Sequence, residues 1–127
     1  MAVYPPVSIT KSISVHPCKV LLHPHKTLLL SNLDRQCPTL MYMVFFYKST
    51  HQDLCSDSVF SRLKTGLEAT LSVWYPAAGR LSFSCPHHEG KLNIWCNNAG
   101  ALLVQAVTQA KIPDLGDLSI YNDFFEN

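Results

Sequence analysis

Histidines and cysteines are the residues in this sequence best able to do chemistry. His23 and His25 lie two apart, and His87 and His88 are adjacent between Cys85 and Cys96. A metal ion here would have to draw Cys85, His87 or His88, and Cys96 together across one turn. Structural zinc sites take four ligands at spacings such as Cys-x-x-Cys or His-x(3–5)-His, and neither pattern occurs. The better reading of His87 and His88 is an exposed polar turn, with Cys85 and Cys96 as small core residues. No metal site is expected. Nucleophilic catalysis needs an activated Ser or Cys beside a positioned base, and no Gly-x-Ser-x-Gly elbow is present. The glycines at 66, 79, 90, 100 and 116 are too scattered for a phosphate-binding loop. Asp114 and Asp117 lie in a loop-like region with no paired acid nearby. Residue chemistry alone gives no active site.

Composition narrows the class further. The 127 residues suit one domain; 47% are hydrophobic and only 15% charged, against the usual quarter. A chain so poor in charge has either a small polar surface or a part of itself that something else covers. The net charge of +1, with no basic run, gives no reason to expect nucleic acid or an anionic membrane as partner. The start, MAVYPPVSITKS, lacks the charged and apolar regions of a secretory signal. The longest strongly apolar run, LMYMVFFY at 40–47, is far short of a bilayer span. Five cysteines without paired spacing are expected to be free thiols in a reducing compartment. A cytoplasmic protein is the expectation.

The elements follow from periodicity. VSITKSISV (7–15) alternates β-branched residues against Ser and Thr, as a half-buried strand does. HPCKVLLHPHK (16–26) is an irregular connection, and TLLLSNLD (27–34) is an apolar run ending in turn formers. MYMVFFYKS (41–49) has no alternation and fits a strand buried on both faces, in preference to a buried helical segment. Ser56 and Asp57 offer an N-cap for a helix from about Ser58 to Trp74. Its stripe is Phe60, Leu63, Leu67, Leu71 and Trp74, and Lys64 and Glu68 form an i,i+4 pair on another face. Pro76 ends it. GRLSFSC (79–85) and KLNIWCN (91–97) make a hairpin with Leu92, Ile94 and Cys96 inward, and ALLVQAVT (101–108) is another strand. The fold class is α/β: a mixed sheet with one long packed helix. Leu118, Ile120, Tyr121, Phe124 and Phe125 form an apolar tail with no visible partner element.

The order of these landmarks is more specific than any one of them. SNLD (31–34), a run ending MVFFY, a helix entering YPAAGRL (75–81), GKLNIWCN (90–97) and GALLVQA (100–106) follow in succession. Together they resemble the N-terminal part of the plant BAHD acyltransferases, over about residues 7 to 126. Those enzymes move an acyl group from a coenzyme A thioester onto an alcohol or amine, in plant specialised metabolism. The resemblance implies a two-domain fold related to chloramphenicol acetyltransferase, of which residues 1–127 would be an incomplete N-terminal domain without the second. It also implies acyl-CoA as co-substrate, with no bound cofactor, and a small-molecule acyl acceptor. Asp34, Tyr75, Pro76, Gly79, Arg80, Cys96, Asn97 and Gly100 are its structural landmarks. The loop Cys37, Pro38, Thr39 and Leu40 would lie on the acceptor side of the channel.

The family's His-x-x-x-Asp, whose His is the general base, is absent. The residues four after the histidines are Val20, Thr27, Leu29, Cys55, Lys91 and Leu92. Asp-Phe-Gly-Trp-Gly is absent too; Asp114-Leu115-Gly116-Asp117 shares only fragments with it. The expectation is a chain that ends before its base and is inactive alone. The alternative is a non-catalytic module that associates with full-length relatives through exposed apolar surface. Asp34 is either a turn former after Asn32 or the partner of Arg80 across the sheet.

Overall fold

The computed structural model describes residues 5–19, 26–36, 42–48, 55–83 and 90–118. Among the described residues there are one α-helix and two small sheets. The strands are β1 (Ser8–Val15), β2 (Lys26–Leu29), β3 (Arg80–Ser82), β4 (Asn93–Cys96) and β5 (Ala101–Val107), and the helix is α1 (Ser56–Val73). Short 3-10 turns form at Asp34–Gln36, Tyr75–Ala78 and Ile112–Leu115.

The chain divides into two compact units. One holds Met1–Ile13 and Leu103–Asn127, the other Ser14–Leu102. In the first, β1 pairs with β5, and the Thr10 hydroxyl donates to the Gln105 carbonyl at 3.2 Å. Its 3-10 turn at Ile112–Leu115 is closed by the Lys111 amide donating to Asp114 Oδ2 at 2.8 Å, and Leu115 is buried there.

The second unit carries the three-stranded sheet β2-β4-β3, with both pairings antiparallel. Register puts Leu28, Ile94 and Leu81 in one row and Leu29, Asn93 and Ser82 in the next. The expected hairpin is therefore present as β3 and β4. Among the described residues the strands form two sheets, not the single mixed sheet expected. The strands of the second unit's sheet are three or four residues long, and residues 42–48, within the 41–49 expected to be a strand buried on both faces, form no strand and are exposed.

Helix α1 forms where the apolar period places it, with its stripe only partly covered. Phe60 and Leu71 are buried and Leu67 is half-buried, whereas Leu63 and Trp74, on the same stripe, are exposed. Lys64 Nζ donates to Glu68 Oε1 at 2.6 Å, as the spacing implies. The N-cap is Cys55, one residue before Ser56, and it makes no side-chain cap bond. The helix ends at Val73, where the Trp74 amide still reaches the Thr70 carbonyl at 2.8 Å. Pro76 then sits inside the 3-10 turn, its fixed φ and missing N–H suiting a first helical turn. The chain packs α1 against this turn and the turn against β4.

Candidate functional site: a locked corner

Tyr75, Pro76, Gly79, Arg80, Asn97 and Gly100 lie together where the Tyr75–Ala78 turn meets the loop Asn97–Gly100 and the end of β1. Ala78 is fully buried, and its carbonyl accepts from the Gly100 amide at 3.0 Å. A β-carbon on Gly79 would stand 2.6 Å from the Trp95 carbonyl oxygen, so only glycine lets the corner approach β4 so closely. Gly100 has φ +75° and faces the Val15 carbonyl oxygen and His16 Nδ1 so closely that a side chain there has no room.

Arg80 closes the corner. Its Nη1 donates to the carbonyls of Gly79 and Gly100 at 2.9 and 2.8 Å, and its Nη2 donates to that of Ala99 at 3.3 Å. A planar fork of fixed donors holds these three carbonyls in a geometry that a compact ammonium group does not match. The loop it holds is also braced internally. Asn97 Oδ1 accepts from the Ala99 amide at 3.2 Å, and Asn98 takes the left-handed conformation at φ 53°. The Asn98 carbonyl is 3.1 Å from His16 Nδ1. A carbonyl oxygen can only accept, so that nitrogen carries the proton.

Asp34 does not meet Arg80. Its Oδ2 accepts from the Ser31 amide at 3.0 Å and the Ser31 hydroxyl at 2.6 Å, and its own amide donates back to Ser31 Oγ at 3.1 Å. This is a reciprocal box closing the Asp34–Gln36 turn, and the turn-former reading of Asp34 is the one that holds. A partner three residues away needs far less chain ordering than one across a sheet. The Ser31 bonds, the side-chain bond foremost, hold the Asp34 carboxyl below the usual aspartate range.

Arg35, which sequence reasoning missed, makes the long-range tie instead. Its Nε donates to the Leu92 carbonyl at 3.1 Å, Nη1 to Asn32 Oδ1 at 3.2 Å and Nη2 to Asn93 Oδ1 at 3.4 Å. Asn93 is 0% exposed although it precedes Ile94 in the alternation that was expected to turn Ile94 and Cys96 inward. Its amide donates to the Lys91 carbonyl at 2.9 Å, so both ends of the buried side chain have partners. The Ser-x-x-Asp pattern ahead of Arg35 was the available signal. Cys96 is buried as expected, and burial pushes its thiol pKa up, while Lys26, opposite it in the register, pulls the other way.

A second junction ties the connection after β1 to the end of α1. Ser72 Oγ donates to the Glu68 carbonyl at 2.7 Å and accepts from the Lys19 amide at 3.3 Å. With its proton committed, its 3.1 Å contact with Cys18 Sγ has the thiol as donor.

The acceptor-side expectation at Cys37, Pro38, Thr39 and Leu40 lies outside the described residues, as do His23, His25, Cys85, His87 and His88. Among the described residues no group of three His, Cys, Asp or Glu side chains could hold a metal ion. No described helix is long and apolar enough to cross a membrane. What the corner does chemically is structural: it commits a guanidinium, two glycines and an imidazole N–H to fixing one loop.

Comparison with known proteins gives this corner its context. The profile of the Transferase family matches residues 5–127. Brassinosteroid-related acyltransferase 1 of Arabidopsis thaliana is 54% identical over 127 residues, covering 95% of this chain and 26% of that protein. BAHD acyltransferase BIA1 of the same plant is 42% identical over 95 residues, covering 72% of this chain and 19% of the relative. Shikimate O-hydroxycinnamoyltransferase of Nicotiana tabacum is 31% identical over 114 residues, or 89% and 25% of the two chains. The chain thus spans about a quarter of the length of these relatives, and it belongs to the Transferase family of plant BAHD acyltransferases.

Proposed function

We propose that this chain is the N-terminal, acceptor-side portion of an acyl-CoA-dependent acyltransferase, and that by itself it does not turn over. The observation that carries this reading is the family match over residues 5–127 in a sequence without His-x-x-x-Asp. In the reaction class, a base takes the proton of the acceptor hydroxyl or amine. The acceptor's oxygen or nitrogen attacks the thioester carbonyl, the C–S bond breaks, and coenzyme A leaves with a proton as its thiol. A hydroxyl of ordinary pKa needs that base in place, a contribution of roughly a hundred- to ten-thousand-fold.

His16 does not replace it. The residue four on is Val20, and the ring N–H is spent on the Asn98 carbonyl rather than a carboxylate. The work assigned to this chain is to build one wall of a two-domain, chloramphenicol-acetyltransferase-like channel. The Arg80 corner stiffens that wall, and Cys37 to Leu40 lie on its acceptor side. Acyl-CoA is the co-substrate, a small alcohol or amine the acceptor, and the cytoplasm the place of action.

The test is to incubate the purified chain with hydroxycinnamoyl-, benzoyl- and acetyl-CoA and mixed alcohols, with product read by chromatography and mass spectrometry. No ester above the protein-free control is expected. Sustained turnover that heat denaturation abolishes would overturn the reading.

A further inference from the structure

Arg35 ties the Asp34–Gln36 turn to the middle strand of the three-stranded sheet, yet the turn is already closed without that tie. Ser31 and Asp34 exchange three hydrogen bonds. The Arg35 amide donates to the Ser31 carbonyl at 3.2 Å, and the Gln36 amide donates to that of Leu33 at 3.0 Å. What the Arg35 side chain adds is the place of this turn on β4. The geometry points to Arg35 as a positioning residue for the acyl acceptor: through Leu92 and buried Asn93 it sets where the chain enters Cys37–Leu40. The inference rests on the proposed function, which puts those four residues on the acceptor side.

Three features of the tie support it. First, its target does not move with the turn. Asn93 is buried, its amide donates to the Lys91 carbonyl at 2.9 Å, and in register it stands opposite Leu29 on one strand and Ser82 on the other. A buried polar side chain with partners at both ends costs free energy to displace, so the turn follows the sheet. Second, the guanidinium bridges the two. Nη1 holds Asn32 of the turn, while Nε and Nη2 reach Leu92 and Asn93 at the start of β4. A planar group with fixed donor directions sets distance and orientation together, which a compact ammonium on a flexible stem does not. Third, the chain path is short. The chain leaves β2 at Leu29, opposite Asn93, and Arg35 returns to that same residue. The segment between them is a loop pinned at both ends. Cys37 follows Arg35 by two residues, and two residues span at most roughly 7 Å. A shift of the pin therefore has little chain over which to be absorbed.

The test uses the full chain joined to the sequence that its 54%-identical Arabidopsis relative carries beyond the matched stretch. The probes are acetyl-, lauroyl- and p-coumaroyl-CoA with cholesterol, shikimate and hexadecanol, and the kinetics follow the pair that the relative itself turns over fastest. Arg35→Met is compared with Arg35→Lys and with Leu71→Ala, a truncation on the buried face of α1. All are assayed below their measured unfolding transitions, with circular dichroism as the check on folding. Arg35→Met should lower kcat/KM for the alcohol about ten- to a hundredfold, the scale of a small misplacement, and leave the KM for acyl-CoA unchanged. Arg35→Lys should restore part of that loss. Leu71→Ala should lower stability without separating the two substrates. The inference alone is overturned if Arg35→Met leaves the alcohol's kcat/KM unchanged, weakens both substrates alike, or is matched by Leu71→Ala, since transfer by the unaltered hybrid upholds the acyltransferase reading. A folded hybrid that transfers no acyl group overturns that reading, and the inference with it.

Discussion

Gly100 offers the most discriminating perturbation of the corner. It combines a left-handed backbone with a crowded site. At φ +75° it needs a conformation that L side chains adopt at a cost of roughly 1–2 kcal/mol. It also abuts the Val15 carbonyl oxygen, part of the backbone, and His16 Nδ1. A methyl group there has to push the end of β1 away, at a further cost of about 1–3 kcal/mol typical of overpacking. Gly100→Ala should therefore cost about 2–5 kcal/mol, a large share of the roughly 5–15 kcal/mol that stabilises a typical domain. Gly90 has the same φ of +75°, but among the described residues no atom lies within 4 Å of a β-carbon added there. Gly90→Ala thus carries only the conformational part, roughly 1–2 kcal/mol. Equilibrium urea unfolding, followed by fluorescence of Trp95 beside the corner, measures both. Equal losses for the two variants would show that the close approach to Val15 plays no part, and the locked-corner account would fail.

Other expectations concern single groups. Arg80→Met strips donors from the Gly100 and Ala99 carbonyls; it should cost about 1–3 kcal/mol in urea unfolding and speed amide exchange at Gly100, while Arg80→Lys restores only part of the loss. Gly66 lies inside α1 with open space around it, so Gly66→Ala should stabilise by about 0.5–1 kcal/mol, read as a raised unfolding midpoint. Asp34 has a lowered pKa, so the stability it contributes is fully present above the ordinary aspartate value and is lost as pH falls through the lowered one. Carboxyl NMR titration should place Asp34 below the ordinary value, and Ser31→Ala should move it back up. Buried Cys96 should resist iodoacetamide under native conditions at neutral pH while exposed Cys18 and Cys55 label, as peptide mass spectrometry can check.

Much of this fold was legible in the sequence because its signals are local. The 3.6-residue stripe placed α1 to within two residues at its start and one at its end, period-two runs located β1, β3 and β4, and ALLVQAVT was a further strand candidate where β5 lies. The reading of the aromatic run went astray. MYMVFFYKS (41–49) looks like a core strand by composition, yet its described residues 42–48 form no strand, and whether a strand is buried depends on neighbours that composition cannot supply. Of the two readings of Asp34, the turn former holds and the pair with Arg80 does not form, because each group has other partners: Ser31 for the acid, and the carbonyls of Gly79, Ala99 and Gly100 for the guanidinium. The burial of Asn93 was hidden for the same reason, since it depends on Arg35, distant in sequence. As for the site, the ordered landmarks pointed to the corner, but the hydrogen bonds that make it rigid run largely to backbone carbonyls, which leave no trace in side-chain spacing.

The most direct test of the family scaffold is a chimera. Residues 5–127 of this chain would replace the stretch they match in the 54%-identical Arabidopsis acyltransferase, leaving that protein's remaining sequence intact. The expected result is a folded enzyme that retains acyl transfer, lowered by Gly100→Ala in step with lost stability. A chimera that folds with the parent's thermal stability yet transfers no acyl group would contradict the claim that this chain builds the family's N-terminal wall.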